Sequence, residues 1–383
     1  MVRLNHLSNI RNLPLFLKSG MVFLLFTVSS SAKILPFFTP SSKRVSVHVQ
    51  GFVADDPVSL KAFFDEWQGA YSPRSGDNVA VELFRVDAGM QFKGVYIGYF
   101  YQWDTLMAAS RGFVEGFHAL KRDISPESPQ SYDLGISIDG IERHGAVCSK
   151  EVLLYEGKGY TLRAYGAGYL SYDTDTQHGT LKGAGTLFTN STYSASAVTD
   201  YFYMENLLYD GREVEETYGI GYGIHLGLAY DHTAYGVHIH LKADDLLART
   251  HWNSLPYSLV YIETENQSFG EEGYISYDPT VSGWELYKDY VQKIIPKYHI
   301  DIQKEFAEDM MLEVGYEEMD YLHMPYISIA KIFDSRKVEL FYEHRFESIG
   351  MQYEDKYLKL SFSTNGLDET SAISLGIAYR LHF

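Results

Sequence analysis

The sequence predicts an all-β fold: a transmembrane, antiparallel, up-and-down β-barrel of about 14–16 strands, with a few short helices in loops or in a plug. Three observations predict it. Apolar residues alternate with small or polar residues along many segments, which is the period of a β-strand. Several of these segments are longer than the usual strand of a soluble sheet. Mean hydropathy is only -0.19, as expected where alternate residues alone contact lipid.

The composition fits this class. The chain of 383 residues contains 32 Tyr and 22 Phe, and aromatic rings with a polar tip are favoured at the two interfaces of a membrane. The formal net charge is -18, which repels nucleic acid, and no basic patch offsets it, so no nucleic-acid partner is expected. Acidity is compatible with attraction of cations or with soluble extracellular loops.

The amino terminus has the pattern of a targeting segment. Three cations precede or flank a short apolar core at residues 20–28, and they are Arg3, Arg11 and Lys18. Small residues then lead to Ala32, which resembles a cleavage site. We therefore expect a signal peptide at residues 1–32, cleavage near Ala32, and a single barrel domain at residues 33–383.

The clearest predicted strand covers residues 218–230. Its apolar face carries Tyr218, Ile220, Tyr222, Ile224, Leu226, Leu228 and Tyr230, and mostly glycines lie between them. This length is natural for a tilted membrane strand with an aromatic residue at each end. The same alternation resumes at residues 235–241 after a tight turn, which predicts a hairpin.

Further segments repeat this pattern. In the first half, strands are predicted near residues 45–53, 78–89, 92–102, 131–138, 160–172, 178–189 and 192–206. In the last third, hairpins are predicted through residues 298–303, 310–317, 327–329, 338–343, 358–362 and the closing strand. Short links alternate with longer ones, as in an up-and-down meander.

Four segments break the alternation and favour helices. They are residues 56–70, 104–122 and 284–295, together with residues 243–258, where a short helix followed by a Pro-terminated loop is predicted. In a barrel such segments would form periplasmic caps, a constriction of the lumen or extracellular elaborations. In a soluble enzyme they would be surface helices, and the sequence leaves this choice open.

The last ten residues carry the most specific signal. Apolar residues occupy every second position and the chain ends on an aromatic residue. The segment resembles the carboxy-terminal signal strand of Gram-negative outer-membrane β-barrels, and the matching residues are Ser374, Gly376, Tyr379, Leu381 and Phe383. The resemblance implies an outer-membrane location, contact with outer-membrane lipid, and recognition of this strand by the barrel-assembly machinery. The resemblance identifies only the superfamily and does not indicate which solute, if any, the barrel transports.

If the apolar faces contact lipid, the interleaved residues face the lumen, because a charge near the membrane midplane costs about 2–4 kcal/mol. The lumen-facing candidates are His238, His240, Lys242, Asp301, Glu313, Glu317, Glu339, Glu343, Arg345, Lys359, Arg380 and His382. Such a mixed, charged interior suits a water-filled channel with charged rings that set selectivity. The alternative is that these residues pair across a narrow lumen and form a salt-bridged plug.

No cofactor or metal site is predicted. His238 and His240 share one strand face, but two imidazoles are too few for a defined metal site. Asp173 and Asp175 lack the full pattern of a calcium loop, which favours a polar turn between strands. The lone Cys148 has no partner for an internal disulfide.

Three functions are compatible with a barrel. The first is a porin-like channel or transporter for small polar or cationic solutes or for an exported saccharide. The second is a non-transport barrel that anchors or helps to assemble a surface polysaccharide or protein. The third, less favoured, is a barrel enzyme. No nucleophile elbow, phosphate loop or His-Glu-x-x-His motif is present, which does not exclude it because the catalytic groups of such enzymes are not contained in one local motif, but no residue pattern supports it either.

Overall fold

The computed structural model describes residues 44–64, 67–189, 192–205, 214–264, 267–269, 275–277 and 280–382. The predicted signal peptide and Phe383 lie outside the described residues. Within the described ranges, no helix has both the length and the apolar character needed to cross a membrane.

Strands make up most of the described chain. In the first half they are β1 (Arg44–Asp55), β2 (Asn78–Phe92), β3 (Val95–Ala109), β4 (Gln130–Gly157), β5 (Tyr160–Leu187), β6 (Tyr193–Tyr203), β7 (Gly219–His232) and β8 (Val237–Glu263). They continue as β9 (Gln267–Phe269), β10 (Ile275–Tyr277), β11 (Thr280–Lys293), β12 (Lys297–Ala307), β13 (Met310–Met319) and β14 (Leu322–Phe333). The last are β15 (Arg336–Glu343), β16 (Ser348–Glu354), β17 (Leu358–Thr364) and β18 (Ala372–His382). Two helices are described, α1 (Leu60–Phe64) and α2 (Arg111–Lys121).

Among the described residues, fourteen antiparallel strands close into a barrel. Around the ring the order is β1–β5, β7, β8 and β12–β18, and β18 pairs with β1 to close it. Every ring strand therefore has a paired neighbour on each side, and the ring itself closes without a gap. The predicted all-β barrel of 14–16 strands is confirmed.

The two ends of the barrel differ. At one end, which we call the short-turn end, adjacent strands are joined by turns such as 93–94, 158–159 and 334–335. At the other, the long-connection end, residues 56–77 and 110–129 carry the two helices. The barrel wall also extends further at this end. There β6 and β11 pair with the parts of the long strands β5 and β8 that lie farthest from the short-turn end.

Alternation determines the two faces of the wall. In the closing strand β18, Tyr379 and Leu381 are exposed on the outside, whereas Ser374 and Ala378 are buried. The other ring strands repeat this division, so an apolar surface encircles the barrel and polar groups occupy its interior.

Two of the four predicted helices form but are shorter than predicted, and the other two are wrong. In the described part of 56–70 the helix is the five-residue α1, and within 104–122 β3 extends to Ala109 before α2 begins. Segments 243–258 and 284–295 lie mainly in β8 and β11, where pairing with neighbouring strands overrides weak local preference. The predicted turn at Asp173 is also wrong, because β5 runs through it as one strand.

Strand β8 is distorted where its alternation fails. Its register with β7 shifts twice between Tyr222 and Leu226, which marks bulges that place extra residues in one strand. Asp245 and Leu247 have φ angles of 56° and 55°, a left-handed conformation that non-glycine residues adopt rarely. As a result, the adjacent residues Asp244 and Asp245 are both buried instead of alternating.

An apolar layer crosses the lumen near the long-connection end. Its buried side chains come from both sides of the barrel and are Ala54, Val79, Val81, Leu106, Met319, Leu322, Met324, Phe346 and Ala372. Strands β3 and β14, which contribute Leu106 and Met324, are separated by six ring strands in either direction, so they face each other. The layer therefore packs apolar side chains from facing strands together at this end of the lumen.

Candidate functional site

Two cavities lie one above the other in the barrel. The lower cavity has an empty volume of about 560 Å³ and is lined by Arg44, Ser46, His48, Arg85, Asp87 and Arg380, among others. The upper cavity has an empty volume of about 310 Å³ and is lined by Gln50, Arg85, Gln102, Asp104, Asp245 and Lys297, among others. Because β1 starts at the short-turn end, the cavity beside Arg44 lies nearer that end. Arg85 borders both cavities.

The Arg85 side chain is fixed between the cavities. Its Nε and Nη2 each donate to one oxygen of Asp87, at 2.8 Å, and its Nη1 donates to Gln102 Oε1 at 3.0 Å. Arg85 and Asp87 both lie on the inward face of β2, two residues apart. A bidentate pair of this geometry holds the guanidinium in one orientation.

Arg143 holds two of the carboxylates that line the upper cavity, those of Asp104 and Asp245. Its guanidinium donates to both oxygens of Asp245, each at 3.1 Å, and to Asp104 Oδ2 at 3.3 Å. It also donates to the Tyr169 hydroxyl at 2.7 Å, and that hydroxyl donates to Asp245 at 2.6 Å. The bulge in β8 makes this possible, because it turns Asp245 inward beside Asp244.

One ion pair crosses the lumen. Lys297 Nζ on β12 donates to Asp104 Oδ2 on β3 at 2.7 Å. Four ring strands lie between β3 and β12 on the shorter path, namely β4, β5, β7 and β8. The contact therefore ties two separate parts of the wall together through the interior.

These groups form one electroneutral cluster, which we call the constriction. Its members are Arg85, Arg143, Lys242, Lys297, Asp87, Asp104, Asp244 and Asp245. Lys242 pairs with Asp244, so four cations face four carboxylates. Buried charges are tolerated when they are paired and hydrogen-bonded in this way. The paired cluster supplies no net charge, unlike a ring of acids that selects cations.

Several predicted lumen-facing residues meet on β8, β12 and β13. His240 Nδ1 lies 2.9 Å from Asp301 Oδ1, and the other oxygen of Asp301 lies 3.0 Å from His299 Nε2. The second nitrogen of His299 lies 2.9 Å from Glu317. On the next strand pair, Tyr326 donates to Glu313 at 2.9 Å. The predicted candidates thus join a hydrogen-bonded row along the buried face of the wall.

The remaining candidates lie elsewhere. Glu339 pairs with Lys337 at 2.9 Å, and Arg380 pairs with Glu354 at 3.0 Å on β16. The backbone register places Lys359 opposite Glu354 on the neighbouring strand, and His382 is the last described residue of β18, opposite Arg44. Glu343 ends β15 and accepts backbone hydrogen bonds from the β15–β16 connection, in which Arg345 contacts Asp56.

The imidazole pair of β8 does not converge on one point. His238 Nδ1 lies 2.8 Å from Asp231 whereas His240 pairs with Asp301. Among the described residues, no group of three or more His, Cys, Asp or Glu side chains is arranged to hold a metal ion.

Most of the constriction was missed by the sequence prediction, which named only Lys242. The alternation of β2 could have placed Arg85 and Asp87 inward, since Val86, Ala88 and Met90 alternate with them. Asp244 and Asp245 could not be placed by parity, because the bulge in β8 changes the phase there.

Comparisons with known proteins identify only distant similarities to solved structures. No protein-family model matches the chain, and no curated protein matches it. A mutant of the monoaromatic hydrocarbon channel TodX has a TM-score of 0.45 and 10% identity, over 90% of this chain and 92% of that chain. The toluene transporter TodX of P. putida has a TM-score of 0.41 and 12% identity, over 90% and 91% of the two chains.

The outer-membrane protease OmpT of Escherichia coli is also similar, with a TM-score of 0.24 and 8% identity, over 92% of this chain and 100% of that chain. These TM-scores and identities are low, so the similarities carry no information about substrate or activity. The chain is a closed antiparallel β-barrel of fourteen strands, as its own strand pairing shows among the described residues. The barrel fold that the resemblance of the terminal strand implies is thereby confirmed.

Proposed function

We propose that this barrel is an outer-membrane channel for small polar solutes, present here in a closed state. The observation that carries the proposal is the pair of cavities within the barrel, each lined in part by charged side chains and both bordered by Arg85. A structural barrel gains nothing from such space, because an interior is most stable when it is filled. The cavities are explained if they are parts of one interrupted pathway.

Two barriers in series account for the closed state. The constriction blocks the pathway with paired charges, and the apolar layer above it excludes water by dewetting. Because the charges of the constriction are balanced, they do not attract cations over neutral solutes. This balance favours small polar cargo over the cationic cargo that the net charge of the chain suggested.

The proposed location is the outer membrane. The exposed apolar rows on the outside of the ring would contact lipid. The terminal strand from Ser374 to Leu381 has the exposed and buried faces that its resemblance to an assembly signal requires. We expect export by the segment 1–32 and insertion by the barrel-assembly machinery.

A sealed, non-transport barrel is the second candidate. The apolar layer favours it, since contacts among Leu106, Met324 and their neighbours stabilise a closed end. Such a barrel would act as an anchor or assembly partner for a surface polysaccharide or protein.

Single-channel recording distinguishes the two candidates. The refolded chain is added to a planar bilayer, and heat-modifiable migration on a gel verifies that the barrel has folded. We expect brief, discrete current steps above the baseline, because both barriers must open together. A bilayer that stays sealed with folded protein inserted would contradict the channel and support the anchor.

A further inference from the structure

The lower cavity has an unusual concentration of positive charge. Three arginines from three strands line it, namely Arg44 on β1, Arg85 on β2 and Arg380 on β18. Among the described residues that line it, Asp87 is the only carboxylate. With neutral histidines, three positive charges therefore face one negative charge, in a protein whose total charge is -18.

Two nearby carboxylates, those of Asp87 and Glu354, are already engaged. Both oxygens of Asp87 accept from Arg85, and Glu354 Oε1 accepts from Arg380 Nη1 at 3.0 Å. The second terminal nitrogen of Arg380, Nη2, is buried and has no hydrogen-bond partner among the described residues. A buried guanidinium N–H without an acceptor is costly, so this position calls for an acceptor from outside the chain.

The register brings these cations to one place on the wall. Arg380 lies directly opposite Ser46 on β1, and Arg44 lies two residues before Ser46 on the same inward face. On the other side of β1, Asp87 lies opposite His48. The cationic groups thus surround the lower cavity from adjacent strands of a closed sheet, which holds their backbone positions firmly.

We infer that the lower cavity is a binding site for a small oxyanion, a carboxylate or phosphate group carried by a small solute. Planar guanidinium groups match such oxygens with paired, charge-assisted hydrogen bonds. The inference rests on the proposed channel in one respect, since it names the class of solute that the channel would admit.

Isothermal titration calorimetry on the full chain in detergent micelles tests the site without requiring conduction. The probes are inorganic phosphate and, separately, acetate, each at constant ionic strength. We expect saturable binding of at least one probe, weakened about tenfold or more by Arg380→Gln and by Arg44→Gln, because each removes a charged hydrogen-bond donor. Arg380→Lys, which keeps the charge and loses the planar fork, should have an intermediate effect.

The matched control is Arg111→Gln on helix α2, where the side chain is half-exposed and pairs with Glu115. It should bind the probe as the unmodified chain does. Saturable binding that the two cavity variants weaken supports the site, whether or not the barrel conducts. No saturable binding of either probe, or equal binding by Arg380→Gln, Arg44→Gln and Arg111→Gln, would overturn it. Current steps from the same preparation would then still support the channel.

Discussion

Arg143→Met is expected to destabilise the folded barrel by about 3–5 kcal/mol, the range for breaking one side of a buried ion pair. Arg143 is only 1% exposed, and its guanidinium contacts Asp245, Asp104 and the Tyr169 hydroxyl. Without it, the equally buried Asp245 loses both of its guanidinium hydrogen bonds. The free energy of unfolding, measured by urea titration in lipid vesicles, should fall accordingly.

A double variant separates charge pairing from packing. Arg143→Met combined with Asp245→Asn removes both charges, so much of the lost stability should return. The control Lys331→Met removes an exposed cation 3.3 Å from Asp309 and should cost about 1 kcal/mol or less. If Arg143→Met were no more destabilising than Lys331→Met, the constriction would not be the tightly paired cluster described above.

The second large effect concerns conduction. We expect a combined variant, Arg85→Ala and Asp87→Ala together with Leu106→Ser and Met324→Ser, to conduct in long openings. The first pair removes the side chains between the cavities without leaving a lone charge. The second pair makes opposite sides of the apolar layer polar, so that water can enter it.

Each half of the combined variant is its own control. Because the barriers lie in series, Arg85→Ala with Asp87→Ala, or Leu106→Ser with Met324→Ser, should leave openings brief. An Arg111→Ala and Glu115→Ala variant removes an ion pair outside the barrel wall and should behave as the unmodified chain. A combined variant that folds, inserts and remains silent would contradict the two-barrier channel.

The ring could be predicted from the sequence because each strand has an exposed, largely apolar face and a buried face. Successive residues of β18 and β7 alternate between these two faces, so burial follows sequence parity along the whole strand. The same rule places His240, Asp301 and Glu313 on the inward face, where the structure shows them hydrogen-bonded to neighbours.

The constriction could not be predicted in the same way, because it depends on contacts between strands distant in sequence. Lys297 and Asp104 are separated by 193 positions and meet only when the ring closes. The break in alternation near Asp244 correctly marks a departure from a regular strand, but local pattern cannot distinguish a bulge from a helix there. Arg143 and Tyr169, which hold the Asp245 side chain on the inner face of the wall, lie on other strands.

In the proposed channel, the lower cavity is one part of a pathway that is closed by the constriction and the apolar layer. Thiol accessibility at Ser46, which lines the lower cavity, tests this closure most directly. The variant Ser46→Cys is made in a Cys148→Ser background, because Cys148 is exposed and would also react. A small, charged, membrane-impermeant methanethiosulfonate reagent is then applied to oriented proteoliposomes.

With the barriers intact, the thiol should react when the reagent is added at the short-turn end and should be protected when it is added at the long-connection end. With the combined substitutions at Arg85, Asp87, Leu106 and Met324, it should react rapidly from both ends. Rapid reaction from the long-connection end with the barriers intact would show that they do not close the lumen. Continued protection from that end in the combined variant would show that the two cavities do not belong to one pathway.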